Sequence, residues 1–469
     1  MKTVKKFLIT LLYLFLILFI ALAIHWTHRT FGRVNFDEIG IVLSNGFGAG
    51  ADASIFWSFF RRTVLRGLMY ASIASLLCTI FDKKRFVKYI AYIGCILYFV
   101  FILFTSNIQF GSFFNFKKSN FYETEYTDPQ TANIQWGKKR NVLFIALESI
   151  EKTYADKKYF DKILTPGITK LERENKSFEN YQSMSGLSHT IAAITGFTTG
   201  LPLFFTKERN FDKMVGAYGI GSVFAKNGYQ TWSIFPATGT FSRKSKFMYR
   251  MGFEKVIDGE QIYSDLKNPP LTRPFNGVDD AVLFEYSKQI ITNLVKSGKP
   301  YFLFMETLNT HLDGFATDYC RNIGFPQDTI QDIIECDDKI VSDFVKWYRK
   351  TDPTAVIILI NDHKQHGHKG FKQLKDVDFR PLANVFINTH IFDGANMNRP
   401  VSAMDFFPTV IESAGGKIDG CRLGLGVSLS KRCEKTKTLR ERFSDKELEQ
   451  KMEQKNDLYY KLATGKDRK

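Results

Sequence analysis

The amino-acid sequence predicts an α/β domain, built on a mostly parallel sheet flanked by helices and preceded by an N-terminal transmembrane helical segment. Two observations lead to this fold class. Apolar runs long enough to cross a membrane are confined to about the first 105 residues, and after residue 141 strand-like and helix-like segments alternate along the chain. Such alternation is typical of a mostly parallel sheet with helices on both faces. The chain has no internal repeat, no P-loop and no dinucleotide-binding fingerprint.

Three apolar runs, at residues 7–24, 64–81 and 89–105, have the length that a membrane-spanning helix needs, roughly 17–25 residues. A short basic loop at residues 82–88 joins the last two runs, and lysines precede the first. Because positively charged loops stay in the cytoplasm, we expect the chain after residue 107 to lie outside. Two alternatives remain open. The first run is a cleaved signal peptide, which leaves the main domain outside all the same, or the second and third runs form a buried helical hairpin.

These patterns divide the chain into four parts. Residues 1–106 form a membrane segment with about three helices, 107–140 a polar linker, 141–433 the main domain and 434–469 a helical, highly charged tail whose charges we expect to face solvent. The formal net charge is +16, yet no zinc-finger spacing, basic helix or glycine–aromatic motif accompanies it. Without such a motif we expect no nucleic acid as a partner, and the positive charge of a domain tethered outside a membrane favours anionic lipid headgroups.

Within the main domain, unbroken runs of Val, Ile, Leu and Phe predict strands that are covered on both faces. We expect strands at residues 141–147, 229–235, 301–305, 356–360 and 382–388. Apolar residues at helical spacing, or a Ser/Thr/Gly-rich start, predict helices at residues 167–176, 190–200, 281–296, 329–350 and 404–414. Strand and helix therefore alternate along the whole domain.

Four cysteines of the main domain are spaced as two local pairs. Export to an oxidising compartment favours the disulfides Cys320–Cys336 and Cys421–Cys433. The alternative is four unpaired thiols.

Three of the predicted strands end in residues that bind metal ions. Glu148 follows the first strand, Glu306 and His311 follow the strand at 301–305, and Asp362 and His363 follow the strand at 356–360. Open α/β sheets place their sites at this carboxyl edge. Each residue alone is ambiguous, since Glu148 or Asp362 can simply cap a turn or helix. A carboxylate from one strand combined with Asp-His from another suits Zn²⁺ or Mn²⁺.

A segment dense in Ser, Thr and Gly, residues 182–200, precedes a predicted helix and offers a nucleophile. A hydroxyl at a helix start lies among free backbone N–H groups, which favour a phosphoryl oxyanion, and metal binding activates a hydroxyl for attack. Composition leaves the choice open among Ser185, Ser188, Thr190 and Thr195. Ordinary helix capping by Ser188 is the alternative.

Taken together, the segments NVLFIALES, GLSHTIAAITGFTTGLPL, LNTHLDG and NDH closely resemble the alkaline-phosphatase-like phosphotransferases of bacterial envelopes. The resemblance is greatest to the phosphoglycerol transferases of osmoregulated periplasmic glucans, with lipoteichoic acid synthases as cousins. It continues through KSKFMYRMGF, ECDDKIVSDFV, DFFPTVIESAGG and GLGVSL, and covers essentially all of residues 141–429. It implies an alkaline-phosphatase-like fold, as part of an enzyme of the bacterial inner (cytoplasmic) membrane whose catalytic domain is periplasmic or extracytoplasmic.

The resemblance also implies roles for individual residues. Thr190 matches the family's threonine nucleophile, which is itself a metal ligand, and Glu148, Asp362 and His363 match the other ligands of a divalent metal ion (Mn, Zn or Mg).

The substrate side is implied in the same way. His311 matches a histidine that contacts the transferred group, and Lys244, with Arg243 as the close alternative, matches a basic phosphate-binding side chain. His189 departs from the aromatic residue that relatives carry before the nucleophile, which affects the acceptor or the headgroup. His366 and His368 are additional imidazoles, either ligands of a second ion or solvated loop residues.

The implied activity is transfer of a phosphoglycerol headgroup from phosphatidylglycerol, the phospholipid donor, to an envelope glycan acceptor through a phospho-threonine. The alternative is a phosphoethanolamine transferase acting on lipopolysaccharide or another envelope glycan. Two further alternatives are weaker. One is a hydrolase, either a phosphodiesterase or a sulfatase, although a sulfatase needs a C/S-x-P-x-R motif, which none of the cysteines has. The other is a membrane-anchored scaffold or sensor with an inactive domain, which would not need the full ligand set.

Overall fold

The computed structural model of the protein describes residues 2–31, 57–81, 84–106, 117–204, 212–267, 274–311, 314–326, 328–365, 371–374 and 377–467. These residues fall into two compact units. One is helical and contains the N-terminal apolar runs, and the other is the α/β domain.

The helical unit consists of long apolar helices. Its helices are α1 (Lys2–Phe31), α2 (Arg66–Ile80) and α3 (Arg85–Ser106). Three stretches are long and apolar enough to cross a membrane, namely Thr3–Thr27, Trp57–Ile80 and Arg85–Thr105, as the sequence predicts. The Ser75 hydroxyl donates to the carbonyl of Phe7 at 2.9 Å and joins α2 to α1. In the basic loop at residues 82–88, Asp82 and Lys83 lie outside the described residues.

Twelve strands and thirteen further helices make up the described part of the α/β domain. The strands are β1 (Ile134–Trp136), β2 (Val142–Leu147), β3 (Asn180–Tyr181), β4 (Gln230–Ile234), β5 (Lys255–Ile257), β6 (Tyr301–Glu306), β7 (Val356–Asn361), β8 (Asn384–Ile387), β9 (Pro400–Val401), β10 (Gly416–Ile418), β11 (Arg422–Leu423) and β12 (Gly426–Val427). The helices are α4 (Phe121–Glu125), α5 (Pro166–Glu174), α6 (Thr190–Thr199), α7 (Ile220–Lys226), α8 (Lys244–Arg250), α9 (Gly259–Asp265), α10 (Asp280–Lys296), α11 (Asp318–Asn322), α12 (Ile330–Thr351), α13 (Ala403–Ser413), α14 (Leu439–Arg442), α15 (Asp445–Met452) and α16 (Asp457–Thr464).

Six strands form the central sheet in the order β5-β4-β6-β2-β7-β8. All neighbours are parallel except the edge strand β8, which runs antiparallel to β7. The sheet is thus mixed and mostly parallel, which confirms the predicted fold class. Strands β2, β6 and β7 are buried along their whole length, because helices cover both faces of the sheet.

Alternate residues of the central strands face two separate cores. On one face, Phe144 of β2 stacks on Phe304 of β6 at 5.0 Å and contacts Phe197 of α6 at 5.4 Å. On the other face, Leu143 and Leu303 belong to a core that includes residues of α10 and α12. Helix α6 therefore lies on the face of the sheet to which the even-numbered residues of β2 and β6 point.

Two segments are more firmly packed than their composition suggests. Residues 107–140 were expected to form a linker, yet Tyr122 is fully buried and its hydroxyl donates to the carbonyl of Met452 at 2.9 Å. Residues 434–469 were expected to form a solvated tail, yet Leu448 and Met452 are buried in the core beside α6. Charged side chains of the two segments are buried as well, among them Glu125 and Arg440, and Arg442 of the C-terminal segment pairs with Glu125.

Both predicted disulfides are present. Cys320 is bonded to Cys336, and Cys421 to Cys433, while Cys78 and Cys95 of the helical unit are free thiols. The prediction from the spacing of the cysteines is confirmed.

Candidate metal centre and active site

The candidate site lies at the carboxyl ends of β2 and β7, which are neighbours in the sheet. Leu147 at the end of β2 pairs with Asn361 at the end of β7, so the residues that follow, Glu148 and Asp362, emerge side by side. Both carboxylates are buried, and so is His363. Ligand atoms of these three residues lie within 4.8 Å of one another.

Thr190 completes this cluster from the opposite side. It is the first residue of α6, and its Oγ1 donates to Glu148 Oε2 at 3.1 Å and lies 3.2 Å from His363 Nε2. The first N–H groups of a helix have no partner within the helix and carry partial positive charge. The hydroxyl is therefore held between two metal-binding side chains at the positive end of α6.

The backbone after Glu148 holds the carboxylates in place. The N–H groups of Ser149 and His363 donate to Asp362 Oδ1 at 2.9 and 2.6 Å, and the Ser149 hydroxyl donates to Glu148 Oε1 at 2.6 Å. Ser149 has φ of +55°, an unusual conformation for a non-glycine residue. This bend turns the Ser149 amide towards the neighbouring strand.

The imidazole of His363 is oriented by its own backbone. Its Nδ1 lies 2.8 Å from the carbonyl of Lys364, so we assign the proton to Nδ1. The lone pair of Nε2 is then directed at the cluster, the arrangement that a metal-binding histidine adopts.

The electrostatics of the cluster fit a bound cation. Burial, reinforced by the charge of Glu148, raises the pKa of Asp362 to about 8. The pKa of Glu148 is lowered: burial acts to raise it, but His363, His311 and two hydroxyl donors outweigh that effect. Asp362 Oδ2 is buried and accepts no hydrogen bond from any described residue. Two buried carboxyl groups, one imidazole and a carboxylate oxygen without a hydrogen-bond donor are a donor set suited to a divalent metal ion.

Lys244 and Arg243, the two residues that the sequence predicts as alternatives for binding phosphate, lie in different surroundings. Lys244 is buried, its ammonium pairs with Glu306 and lies 5.1 Å above the ring of Phe235. Arg243 is about 43% exposed and pairs with Asp212 at 3.2 Å. Lys246 and Arg250 bind the same carboxylate, so Arg243 belongs to a surface charge cluster.

His311 lies at the end of a loop that is tied to Glu148. The Thr307 hydroxyl accepts from the Glu148 amide at 2.9 Å, and the Thr310 hydroxyl donates to the Glu148 carbonyl. The ring of His311 packs edge-on against Phe275 at 4.8 Å and is close enough to Glu148 to lower its pKa. The structure thus brings His311 to the same edge of the sheet, while His366 and His368 lie outside the described residues.

Some contacts that support the site were not predicted from the sequence. The amide and hydroxyl of Ser185, on the loop before Thr190, donate to Glu449 and Glu453 of the C-terminal segment at 2.9 and 2.7 Å. The sequence around Ser149 and around Ser185 contains no pattern that predicts the contacts of either serine. Glu306 did carry a signal, its position at a strand end, but its partner Lys244 is 62 residues away.

The mixed sheet and the cluster at its carboxyl edge define the class of protein: the chain has the fold of the alkaline phosphatase superfamily. Residues 140–416 match the Sulfatase family, so the chain belongs to that family. The resemblance seen in the sequence is thereby confirmed at the level of family and fold.

Among known proteins, this chain is similar to a phosphoglycerol transferase. Phosphoglycerol transferase I of Escherichia coli (strain SMS-3-5 / SECEC) is 28% identical over 257 residues, which are 51% of this chain and 33% of that protein. The chain thus spans about a third of the length of this relative.

Solved structures share the fold at lower identity. A lipoteichoic acid synthase, LtaP from Listeria monocytogenes, has a TM-score of 0.50 at 16% identity, with 64% of this chain and 79% of that one covered. The lipooligosaccharide phosphoethanolamine transferase EptA from Neisseria meningitidis has a TM-score of 0.51 at 12% identity, with 87% and 84% covered. A protein in the alkaline phosphatase superfamily from Vibrio parahaemolyticus has 0.52 at 18% identity, with 66% and 76% covered.

Proposed function

We propose that the protein is a membrane-anchored, metal-dependent phosphotransferase. It moves a phosphoglycerol headgroup from phosphatidylglycerol to an envelope glycan through a phospho-threonine on Thr190. The observation that carries this proposal is the position of Thr190 Oγ1, 3.1 Å from Glu148 and 3.2 Å from His363. An unassisted threonine hydroxyl is a weak nucleophile, so its placement against two side chains that can bind a metal ion has a chemical purpose.

Glu148, Asp362, His363 and Thr190 would hold the metal ion. A bound divalent cation supplies Lewis acidity that lowers the pKa of a coordinated hydroxyl. Glu148 Oε2 accepts the hydrogen bond from Thr190, so the hydroxyl proton is directed away from the face that attacks phosphorus. The first amides of α6 face the phosphoryl oxygens on which charge develops.

The reaction takes place in two displacements. Thr190 Oγ1 attacks the phosphorus of the lipid, the bond to the diacylglycerol oxygen breaks, and that oxygen leaves as the hydroxyl of diacylglycerol with one proton. A glycan hydroxyl then attacks the same phosphorus, loses its proton and releases Thr190. His311 and Lys244 offset the charge of the phosphoryl group in both steps.

The membrane segment favours a lipid donor. The three potential spans hold the domain at the surface in which a phospholipid resides, which raises the effective concentration of the donor. We infer that the domain lies outside the cytoplasm, at the bacterial inner membrane. The two disulfides support this, because such bonds persist in oxidising compartments.

A phosphoethanolamine transferase is the second candidate. The carboxylate of Glu306, buried beside Lys244, favours it, because an acidic side chain near the phosphoryl site suits an ammonium group.

The test is the mass of the full-length protein, in detergent with Mn²⁺, after incubation with phosphatidylglycerol. A glycerophosphate adduct is expected on the wild-type protein and none on Thr190→Ala. Ser188→Ala is the matched control, since it removes a neighbouring candidate hydroxyl and should keep the adduct. An adduct that persists in Thr190→Ala would refute the assigned nucleophile, and an adduct only with phosphatidylethanolamine would favour the second candidate.

A further inference from the structure

Glu306 lies on the same face of the sheet as the candidate site. In β6, Phe302 and Phe304 point towards the core that contains residues of α6, whereas Leu303 and Met305 point to the other core. By this alternation Glu306 points to the side of α6. It pairs with Ala146, two residues before Glu148 on the neighbouring strand, and adjacent strands are only about 4.8 Å apart.

The two carboxylate oxygens of Glu306 have different surroundings. Oε1 pairs with the ammonium of Lys244, whereas Oε2 is buried and accepts no hydrogen bond from any described residue. The side chain is only about 3% exposed. Burial raises the pKa of Glu306, and Lys244 acts against that rise. A buried carboxylate oxygen without a donor is costly, so such a group calls for a partner that comes from outside the chain.

The metal-binding cluster does not use this oxygen. The group of side chains that could hold an ion consists of Glu148, Asp362 and His363, and Glu306 is not part of it. Because Lys244 holds Oε1, Glu306 is tied to the side chain that we assign to the phosphoryl oxygens rather than to the cation.

We propose that Glu306 determines donor specificity: its free oxygen, Oε2, accepts a hydrogen bond from the headgroup of the donor lipid while Oε1 holds Lys244 for the phosphoryl group. This rests on the proposed function, in which a phosphorylated headgroup occupies the site. The ligand is a small alcohol, esterified to phosphate, that carries a hydrogen-bond donor. That donor is a hydroxyl in a glycerol headgroup and an ammonium in an ethanolamine headgroup.

The chemistry of a carboxylate makes this role selective. An ionised carboxyl group only accepts hydrogen bonds, so it stabilises a headgroup that has a donor. With a headgroup that lacks a donor, the buried carboxylate oxygen stays without a hydrogen bond and its burial cost is not offset. Sites built to bind a substrate hydroxyl reject analogues without it much more strongly than apolar pockets reject extra groups.

The experiment compares three donor lipids in a single turnover, with the adduct on Thr190 as the readout. Phosphatidylglycerol and phosphatidylethanolamine carry a donor on the headgroup, whereas phosphatidylethanol does not. The wild-type protein should react with one of the first two roughly 10- to 100-fold faster than with phosphatidylethanol. In Glu306→Gln the amide oxygen faces Lys244, whose ammonium only donates, so an NH2 group takes the place of the free oxygen. The ratio of the headgroup-donor rate to the phosphatidylethanol rate should then fall to about one, whatever the change in the absolute rates.

Two further variants separate specificity from a structural role. Glu306→Asp keeps the charge on a shorter side chain and should retain part of the preference. Asp212→Asn, which removes the carboxylate beside Arg243, should leave the preference intact. Melting temperature and bound Mn²⁺ of each variant report whether the site is still folded.

The results that overturn the proposal are distinct. A wild-type protein that does not discriminate against phosphatidylethanol, or a Glu306→Gln variant that loses all donors in equal proportion, refutes the role of Glu306 while Thr190 chemistry stands. Absence of any adduct on the wild-type protein refutes the proposed function and this role with it.

Discussion

The two ends of the same three strands treat buried polar groups in opposite ways. At the amino ends of β2, β6 and β7, Asp352 accepts from the Tyr301 hydroxyl at 2.9 Å and from the Asn141 amide at 2.7 Å, and the hydroxyls of Tyr301 and Tyr348 lie 2.6 Å apart. At the carboxyl ends, the carboxyl groups of Glu148, Asp362 and Glu306 are buried. One oxygen of Asp362 and one of Glu306 accept no hydrogen bond from any described residue.

The difference shows which end contributes to stability and which to function. A buried network whose members are all hydrogen-bonded stabilises the fold, whereas buried charges without partners destabilise it until a ligand supplies them. The amino ends are complete within the chain. Under the proposed function, a cation and a substrate would supply the partners that the carboxyl ends lack.

The largest effect is expected from a substitution at the carboxyl ends of the strands. Asp362→Asn removes a metal-binding carboxylate, so we expect adduct formation to fall by at least about 10³-fold. Because burial already disfavours the charged form of Asp362 in the metal-free protein, an amide at this position should leave the metal-free variant at least as stable as the metal-free wild type. Chemical denaturation in EDTA, beside a single-turnover assay, measures both; a strongly destabilised variant contradicts the comparison.

The next effect is the response of the metal centre to pH. Because the pKa of Asp362 is raised to about 8, protons compete with the metal, and affinity should rise by up to about tenfold per pH unit between pH 5 and 8. For the metal-free protein the sign is opposite. The pKa of Asp362 is higher in the folded protein than in the unfolded chain, where it is near 4. The protonated group therefore stabilises the fold below about pH 4, and this stabilisation is lost as the pH rises towards 8.

Glu148, whose pKa is lowered, contributes in the other direction. Its contribution changes only below about pH 4.5, so it does not affect this window. Melting curves from pH 5 to 8, with EDTA and with Mn²⁺, should therefore diverge. Parallel curves would contradict the assignment of Asp362 as a ligand.

The third prediction breaks the amino end. Asp352→Ala leaves the Tyr301 hydroxyl and the Asn141 amide without their acceptor, which should cost about 2–4 kcal/mol in the free energy of unfolding. The rate of adduct formation should stay unchanged, since no residue of the site contacts this network. A loss of activity in the folded variant would mean that the two ends are coupled.

The smallest effect sharpens the same network. Tyr348→Phe removes one hydrogen bond to the Tyr301 hydroxyl while Asp352 still binds it, so we expect a loss of about 1 kcal/mol. Urea denaturation of the protein in detergent measures this change in the free energy of unfolding. Tyr249→Phe, at an exposed position, is the control.

Much of the fold and of the candidate site follows from short stretches of sequence. The apolar runs that become β2, β6 and β7 are continuous, and each ends in the polar residue that reaches the carboxyl edge. A parallel sheet brings such ends together whatever the intervening chain does, so Glu148, Asp362 and His363 were expected to cluster. The start of α6 was also visible, although composition alone did not choose Thr190 among four hydroxyls.

Other features depend on contacts between distant residues. The pair of Lys244 with Glu306, and of Arg243 with Asp212, follows from how α8 lies over the sheet, which the spacing of residues does not encode. The segment after residue 434 has a charge pattern typical of solvated helices, yet Glu449 and Glu453 hold Ser185 on the loop before Thr190.

By itself, the sequence predicted three apolar helices long enough to span a membrane, the alternation of strands and helices, and the residues that end the central strands. These are local properties, set by hydrophobicity and by the period of each element. The disulfide pairs followed from the short spacing of the cysteines. Only the tertiary structure decided which carboxylates form ion pairs with lysine or arginine side chains and which keep an oxygen without a hydrogen-bond donor. That choice depends on side chains brought within about 3 Å across more than sixty residues of sequence, and only the packed sheet fixes such distances.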